Sequence, residues 1–144
     1  MEQFKENLKD LIDETGLSLR RLEQVSGVSA MQYSRYLRDS IPTIDIVLKI
    51  AKFFNCSIDY LFGLDEKRNT NHFKTYNYDI SKFLPRYIDL LKQNNISHYK
   101  FSQTQSFNES IIRHWRSGRV PRLDIVYSIA NYFDSSMDYL IGRY

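Results

Sequence analysis

The residues SIDYLFG at 57–63 return as SMDYLIG at 136–142, 79 positions further along the chain. Working outward from this stretch, the chain aligns with itself at that shift without a gap, from Phe4 on Phe83 to Gly63 on Gly142. In this alignment 17 of 60 positions are identical, whereas ordinary composition gives about three or four. The sequence therefore predicts one compact unit that occurs twice in the chain. We expect the two copies to contribute to function together.

Length and composition favour two small globular domains. A chain of 144 residues accommodates two units of about 60 residues each, near the lower limit for a self-sufficient core. The repeat predicts a first domain at 1–64, a linker at 65–82 and a second domain at 83–144. A hydrophobic content of 42% with 26% charged residues is typical of a globular protein and argues against general disorder.

The sequence also bounds the compartment. The first residues lack a basic start followed by an apolar stretch, and no apolar run is long enough to cross a bilayer. The single cysteine, Cys56, has no internal disulfide partner, and we expect it to be a buried structural residue. These features predict a cytoplasmic protein with no membrane partner.

The net charge of +3 is unevenly distributed. Residues 1–64 carry 8 basic and 9 acidic side chains, the linker carries 4 and 3, and residues 83–144 carry 8 and 5. The basic excess therefore lies in the second copy. For a polyanionic partner this position matters more than the total.

Apolar spacing and caps predict five helices in each copy. In the first copy, helix 1 spans 2–15, Ser18 opens a helix with Leu22 and Val25 inward, and Gly27 ends it. Ser29 opens the third helix, Pro42 precedes the fourth and Ser57 caps the fifth. The counterparts in the second copy include a third helix opened by Asn108, with Ile111, Ile112 and Trp115 inward. The fourth helix repeats Ile44, Val47, Ile50, Ala51 and Phe54 as Leu123, Val126, Ile129, Ala130 and Phe133.

The linker has two dissimilar halves. Residues 65–71 are wholly polar, which predicts a mobile segment, and the aromatic second half is expected to dock on a domain. Alternation at period two makes 76–80 the one candidate strand in the chain. Apart from this segment, the fold class is all-α.

This order of caps, turns and breaks resembles the lambda-repressor/Cro-like (XRE-type) helix-turn-helix family, in two tandem five-helix copies. The residues that carry the resemblance in the first copy are Leu22, Gly27-Val28-Ser29, Tyr33, Tyr36, Pro42, Ile50-Ala51 and 57–61. The resemblance covers 4–63 and 83–142. It implies binding to double-stranded DNA, with a recognition helix at 29–38, and again at 108–117, in the major groove.

The resemblance also implies which residues contact DNA. The preceding helices begin at Ser18 and Ser97, where family members meet phosphate through backbone N–H groups. His98 occupies a position where many relatives carry a phosphate-binding Gln, and Arg38 lies at the end of the first recognition helix. The positions that would face bases are Ala30, Met31, Ser34 and Arg35 in the first copy, and Glu109, Ser110, Arg113 and His114 in the second, after the caps Ser29 and Asn108.

Both copies depart from the family pattern. The phosphate-binding Gln is replaced by Leu19 and His98, and the small Ala that lets the two helices approach is replaced by Glu23 and Ser102. Ser106 replaces the turn glycine in the second copy. Neither copy therefore has the standard residues of a DNA-reading member of the family.

Arginines concentrate in the second copy. Arg113, Arg116, Arg119 and Arg122 fall within ten residues, together with His114. Arginine bonds guanine or phosphate, although a solvated basic face explains the cluster too. In the first copy Ala30 and Met31 fit either thymine methyls or a protein-contact patch, and Glu109 fits either a cytosine amino group or a helix N-terminus.

Catalytic and metal chemistry are not indicated. His72, His98 and His114 lack metal-ligand spacing, and no nucleophile triad or phosphate-binding glycine loop is present. Asp59 and Asp138 each follow a serine cap, where a carboxylate stabilises a helix start. We therefore expect no enzyme activity, no metal and no cofactor.

Two functional hypotheses follow. The first is a sequence-specific DNA-binding transcriptional regulator with two unlike helix-turn-helix units, which would need no dimer to occupy successive major grooves. The second is a protein-interaction module, antitoxin-like or inhibitor-like, in which one or both units bind a protein partner. A homodimer stays open in either case.

Overall fold

The structure is a computed structural model of the chain and describes residues 2–68 and 77–144. The chain divides into two compact units, unit 1 (Met1–Asn77) and unit 2 (Tyr78–Tyr144). All regular structure in the described residues is helical, which confirms the all-α fold class. Unit 1 contains α1 (Glu2–Thr15), α2 (Leu19–Ser26), α3 (Ala30–Tyr36), α4 (Ile44–Phe54) and α5 (Ile58–Leu61). Unit 2 contains a 3-10 helix (Ile80–Lys82), α6 (Phe83–Gln93), α7 (His98–Gln105), α8 (Ile111–Arg116), α9 (Leu123–Tyr132) and α10 (Met137–Leu140).

The strand prediction at 76–80 is wrong for the residues that the structure describes. Tyr76 lies outside them, as do the other residues of 69–76, which include the last three residues of the predicted mobile segment, 69–71. Asp79 is extended, but its carboxylate accepts the Ser81 N–H at 3.1 Å and so opens the 3-10 helix at Ile80. A local side-chain cap thus outcompetes strand formation in so short a segment.

Unit 1 builds its core from one face of each helix. The residues that α1 buries, Phe4, Leu8, Leu11 and Ile12, repeat at helical spacing as the sequence predicted. Helix α4 buries its five predicted apolar positions and also Leu48. Phe4 stacks on Phe62, just beyond α5, with ring centroids 4.7 Å apart, so the end of the unit closes onto its beginning.

One inward assignment in unit 1 is wrong. Leu22 of α2 is fully buried, but Val25, three residues later, is 48% exposed. Helix α2 has only eight residues, and its neighbours cover the Leu22 side alone. Cys56 is buried, as predicted.

Residues 65–68, the first part of the predicted linker, are held against unit 1. The Arg68 guanidinium contacts both carboxylate oxygens of Glu14 at 3.0 Å and donates to the Phe54 carbonyl. The Arg68 carbonyl accepts the N–H of Ser57. These contacts join the ends of α1 and α4 to the start of α5.

Unit 2 repeats the helix order around a more aromatic core. Trp115 of α8 meets Phe83 and Tyr87 edge to face, with centroids 5.0 and 5.6 Å away. Ile111, Ile112 and Phe133, which the sequence placed inward, are only half-buried. The large Trp115 ring fills the space between α6 and α8. The two isoleucines therefore stay partly exposed beside it.

The closing turn of unit 2 is anchored by two charged side chains. Asp138 and Arg143 form an ion pair at 2.6 Å in which both side chains are completely buried. Arg86 donates to the carbonyls of Tyr139 and Tyr144, and its guanidinium lies 3.9 Å from the centre of the Tyr139 ring. In unit 1 the equivalent contact is smaller, since Asn7 donates to the Tyr60 carbonyl and Leu64 stands in the place of Arg143.

Gly142 is required in this closing turn for two reasons. Its φ is +79°, and a Cβ there would overlap the carbonyl of Asp79. The Asp79 N–H donates to the carbonyls of Ile141 and Gly142, each at 3.1 Å. Asp79, near the end of the predicted linker, is therefore held against the closing turn of unit 2.

None of the helices in the described ranges is long and apolar enough to span a membrane.

Candidate nucleic-acid interface

Helices α2 and α3 of unit 1 are joined by a tight turn with well-defined caps. The Ser18 hydroxyl accepts the Arg21 N–H at 3.2 Å, and Gly27 ends α2 in the left-handed conformation with φ +78°. Ser29 and Gln32 then form a capping box, in which each side chain accepts the backbone N–H of the other residue. The caps that the sequence predicted at Ser18 and Ser29 are confirmed.

Glu23 provides a further contact that sequence reasoning missed. Its Oε1 accepts the N–H of Ala30, the first residue of α3, at 2.9 Å. The sequence marked Glu23 only as a departure from a small residue at a helix contact. In the structure its side chain extends along the surface and stabilises the start of α3, where a negative charge is favourable.

The outer face of α3 brings together several of the predicted base-facing residues. Met31 is 65% exposed, Arg35 is exposed, and Ala30 and Ser34 are half-buried. The Arg35 guanidinium lies 3.5 Å from the Met31 sulfur. Helix α3 ends at Tyr36, earlier than predicted, so Arg38 lies beyond it and contacts the Ser34 hydroxyl at 3.3 Å.

The corresponding turn of unit 2 is built differently. Ser97 caps α7 as predicted, its hydroxyl accepting the Lys100 N–H at 3.0 Å. Ser106 adopts the left-handed conformation that a glycine supplies in unit 1, with φ +59°. The two turns therefore share one backbone conformation. In unit 2 this conformation costs some energy, because a non-glycine residue is strained there.

Helix α8 begins three residues later than the sequence predicted. It starts at Ile111, and Asn108 is not its N-cap. The Asn108 carboxamide oxygen instead accepts the Ser110 N–H at 2.9 Å, and the Ile111 N–H donates to the Asn108 carbonyl. This local turn replaces the first helical turn, so Glu109 and Ser110 precede the helix.

His98 holds that turn in place. Its Nε2 lies 2.8 Å from the Glu109 carbonyl oxygen, and its Nδ1 lies 2.7 Å from the Tyr87 hydroxyl. A carbonyl only accepts, so the neutral tautomer carries its proton on Nε2 and accepts the Tyr87 hydroxyl at Nδ1. Burial raises the pKa of Tyr87, so the hydroxyl stays protonated as this arrangement requires. Both ring nitrogens are engaged within the unit.

The basic residues after this turn are exposed. Arg113, His114, Arg116 and Arg119 all lie at the surface of α8 and the loop that follows. The Arg119 N–H donates to the His114 carbonyl at 2.9 Å, which folds the loop back on the helix. Arg122 differs from them because it pairs with Asp124 at 2.8 Å. Four basic side chains of α8 and the following loop are thus exposed, and the fifth has an acidic neighbour.

The described residues contain no group of three or more His, Cys, Asp or Glu side chains arranged to hold an ion.

Comparison with known proteins identifies part of the chain. A family model described as helix-turn-helix matches residues 8–61, which contain most of α1 and all of α2–α5. No curated protein and no solved structure matches the chain. Residues 8–61 therefore form one helix-turn-helix domain.

Proposed function

We propose that the chain is a sequence-specific DNA-binding transcriptional regulator that uses two unlike helix-turn-helix units. The helix-turn-helix domain at 8–61 carries the proposal. Such domains place their second helix in the major groove. In unit 1 this helix is α3, which presents Met31 and Arg35 on its exposed face.

Unit 2 is proposed as a second DNA-binding unit. Support comes from its helix order and from the basic surface of α8. Arg113 and His114 would reach base edges, and Arg119 would contact the phosphate backbone. Arginine is suited to both contacts, because its planar fork bonds guanine O6 and N7 or a phosphate bidentately.

The remaining predicted contacts are of three kinds. Ser18 and Ser97 start helices whose first N–H groups suit phosphate. Ala30, Ser34, Glu109 and Ser110 are proposed as smaller contacts near the bases. We propose backbone contacts for Arg38 and Arg122, whereas the bonds that His98 and Asn108 make inside unit 2 favour a supporting role for them.

Selection of bound duplexes from a random pool, followed by affinity measurements against salt, tests the proposal. We expect an enriched site with two unlike half-sites and a steep loss of affinity between about 50 and 200 mM salt. Arg35→Ala and Arg113→Ala should each cost about 1–3 kcal/mol on the selected site. Lys52→Ala in the last turn of α4 removes one charge away from α3 and is the matched control. Absence of enrichment together with salt-independent binding contradicts the proposal.

A protein partner for unit 1 is the second candidate. Met31 and Val25 are 65% and 48% exposed, and residues 1–64 carry one more acid than bases. Apolar side chains at the surface of a unit with no basic excess suit a protein contact. DNA affinity that depends on Arg113 but not on Arg35 favours this reading over the first.

A further inference from the structure

The Glu23 carboxylate lies at the start of the helix that unit 1 would insert into DNA. Glu23 is exposed, and its Oε1 accepts the Ala30 N–H at 2.9 Å. Within the described residues no Lys, Arg or His nitrogen lies within the 4.0 Å of an ion pair with this carboxylate, although Arg20 and Arg21 are near in sequence. The Arg21 guanidinium bonds Gln24 instead. The negative charge is therefore not neutralised by an ion pair with any side chain of residues 2–68.

Most backbone N–H groups at the start of α3 are already bonded to side chains. Ser29 and Gln32 form the capping box, and Glu23 takes the N–H between them, that of Ala30. Three of the first N–H groups, those of residues 29, 30 and 32, are thus engaged inside the unit. A DNA phosphate that approached here would therefore meet the Glu23 carboxylate where most of these donors are already engaged.

Unit 2 carries no charge at the equivalent position. Ser102 is buried, and its hydroxyl donates to the Tyr99 carbonyl at 2.7 Å. The packing of the two helices therefore does not require an acid here. Glu23 adds a charge on one unit that the repeated fold does without.

We infer that Glu23 is a specificity-determining residue, whose carboxylate disfavours phosphate near α3 and so weakens the binding of unit 1 to DNA of arbitrary sequence. The inference rests on the proposed function, in which α3 faces DNA. A like charge near phosphate costs every duplex about the same, so only a duplex whose base contacts compensate for that cost still binds well. Unit 1 then depends on its base contacts, while unit 2 supplies the sequence-independent attraction.

Three variants of the full chain separate charge from capping. Glu23→Gln removes the charge, and its amide oxygen can still accept the Ala30 N–H. Glu23→Ala removes both the charge and the cap. Asp10→Asn changes the net charge equally at an exposed position of α1 and serves as the control.

We would measure the affinity of each variant for a random-sequence duplex by fluorescence anisotropy, over a range of salt concentrations. We expect Glu23→Gln to bind about three- to tenfold more tightly at low salt, with the gain shrinking as salt screens the charge. Asp10→Asn should stay within about twofold of the wild type. The thermal midpoint of Glu23→Gln should fall only slightly, because the cap remains and only the favourable charge at the helix start is lost. Glu23→Ala should gain the same affinity with a clearly lower midpoint, because it also loses the cap.

The outcomes distinguish this inference from the proposed function. If the wild type binds DNA and Glu23→Gln gains no more than Asp10→Asn, the role of Glu23 is wrong and the regulator proposal stands. A gain by Glu23→Ala without one by Glu23→Gln also overturns the inference, because the cap and not the charge would be responsible. If no variant binds DNA, both are wrong.

Discussion

Helices α3 and α8 occupy equivalent places in the repeat but begin differently. Helix α3 starts directly after Ser29, with a capping box and the Glu23 carboxylate at its first turn. Helix α8 starts three residues after Asn108, behind a turn that His98 fastens to Tyr87. The comparison teaches that a shared apolar core fixes where a helix packs, whereas local polar contacts fix where it begins.

The largest expected effect concerns the closing turn, where the units differ by a buried ion pair. Arg143→Met should destabilise unit 2 by about 3–5 kcal/mol, because it leaves the Asp138 carboxylate buried without its ion-pair partner. Trp115, the single tryptophan of the chain, lies in unit 2 and reports its unfolding. Denaturant titration followed by tryptophan fluorescence measures the loss.

A double variant decides whether the pair acts as a unit. Asp138→Asn combined with Arg143→Met removes both charges and should recover part of the loss, as a double-mutant cycle measures. Leu64→Met makes the same new side chain at the equivalent place in unit 1, and should leave the fluorescence transition unchanged. Additive losses in the cycle would contradict a coupled pair.

The next largest effect compares the first residues of the second helices, which are Leu19 in α2 and His98 in α7. His98→Ala should destabilise unit 2 by about 2 kcal/mol, since the buried Tyr87 hydroxyl loses its partner. Leu19→Ala, at a half-buried apolar position, should cost about 1 kcal/mol or less. Tryptophan fluorescence follows the first variant, and far-ultraviolet circular dichroism follows the second.

The His98→Ala variant also tests whether His98 positions the start of α8. Hydrogen exchange at residues 109–112 should become faster in His98→Ala, because the Glu109 carbonyl is released. Equal losses of stability in the two variants, with unchanged exchange at 109–112, would show that His98 is only a packing residue.

Most of the fold could be predicted from the sequence because its signals are local or periodic. Four apolar positions of α1 recur at helical spacing, and the serine caps at 18, 29, 57, 97 and 136 were all located correctly. The prediction that Val25 is buried is wrong because periodicity shows which face of a helix is apolar. It does not show how much of that face the neighbouring helices cover. In a helix of eight residues that coverage decides the outcome.

The polar contacts of the candidate site could be predicted less well. Glu23 reaches Ala30 seven residues away, and His98 reaches Glu109 eleven residues away, so neither contact follows from helical spacing. Both depend on how α2 and α7 are oriented against the next helix. The sequence predicts a cap at Asn108 because asparagine is a common N-cap residue. In the structure its side-chain oxygen accepts the nearby Ser110 N–H instead.

The smallest expected effect lies in the turn between the second and third helices, where Gly27 and Ser106 share the left-handed conformation. Ser106→Gly should stabilise unit 2 by about 0.5–1 kcal/mol, because glycine adopts a positive φ without strain but loses more chain entropy on folding. Gly27→Ala should destabilise unit 1 by about 1 kcal/mol through its backbone alone, since a Cβ there meets no atom within 4 Å. Thermal unfolding of the two variants, followed by tryptophan fluorescence for unit 2 and by circular dichroism for unit 1, measures both changes. Opposite signs show that one turn geometry serves both units and that only its residue differs, whereas destabilisation by Ser106→Gly means that the Ser106 side chain has a contact worth more than the strain it causes.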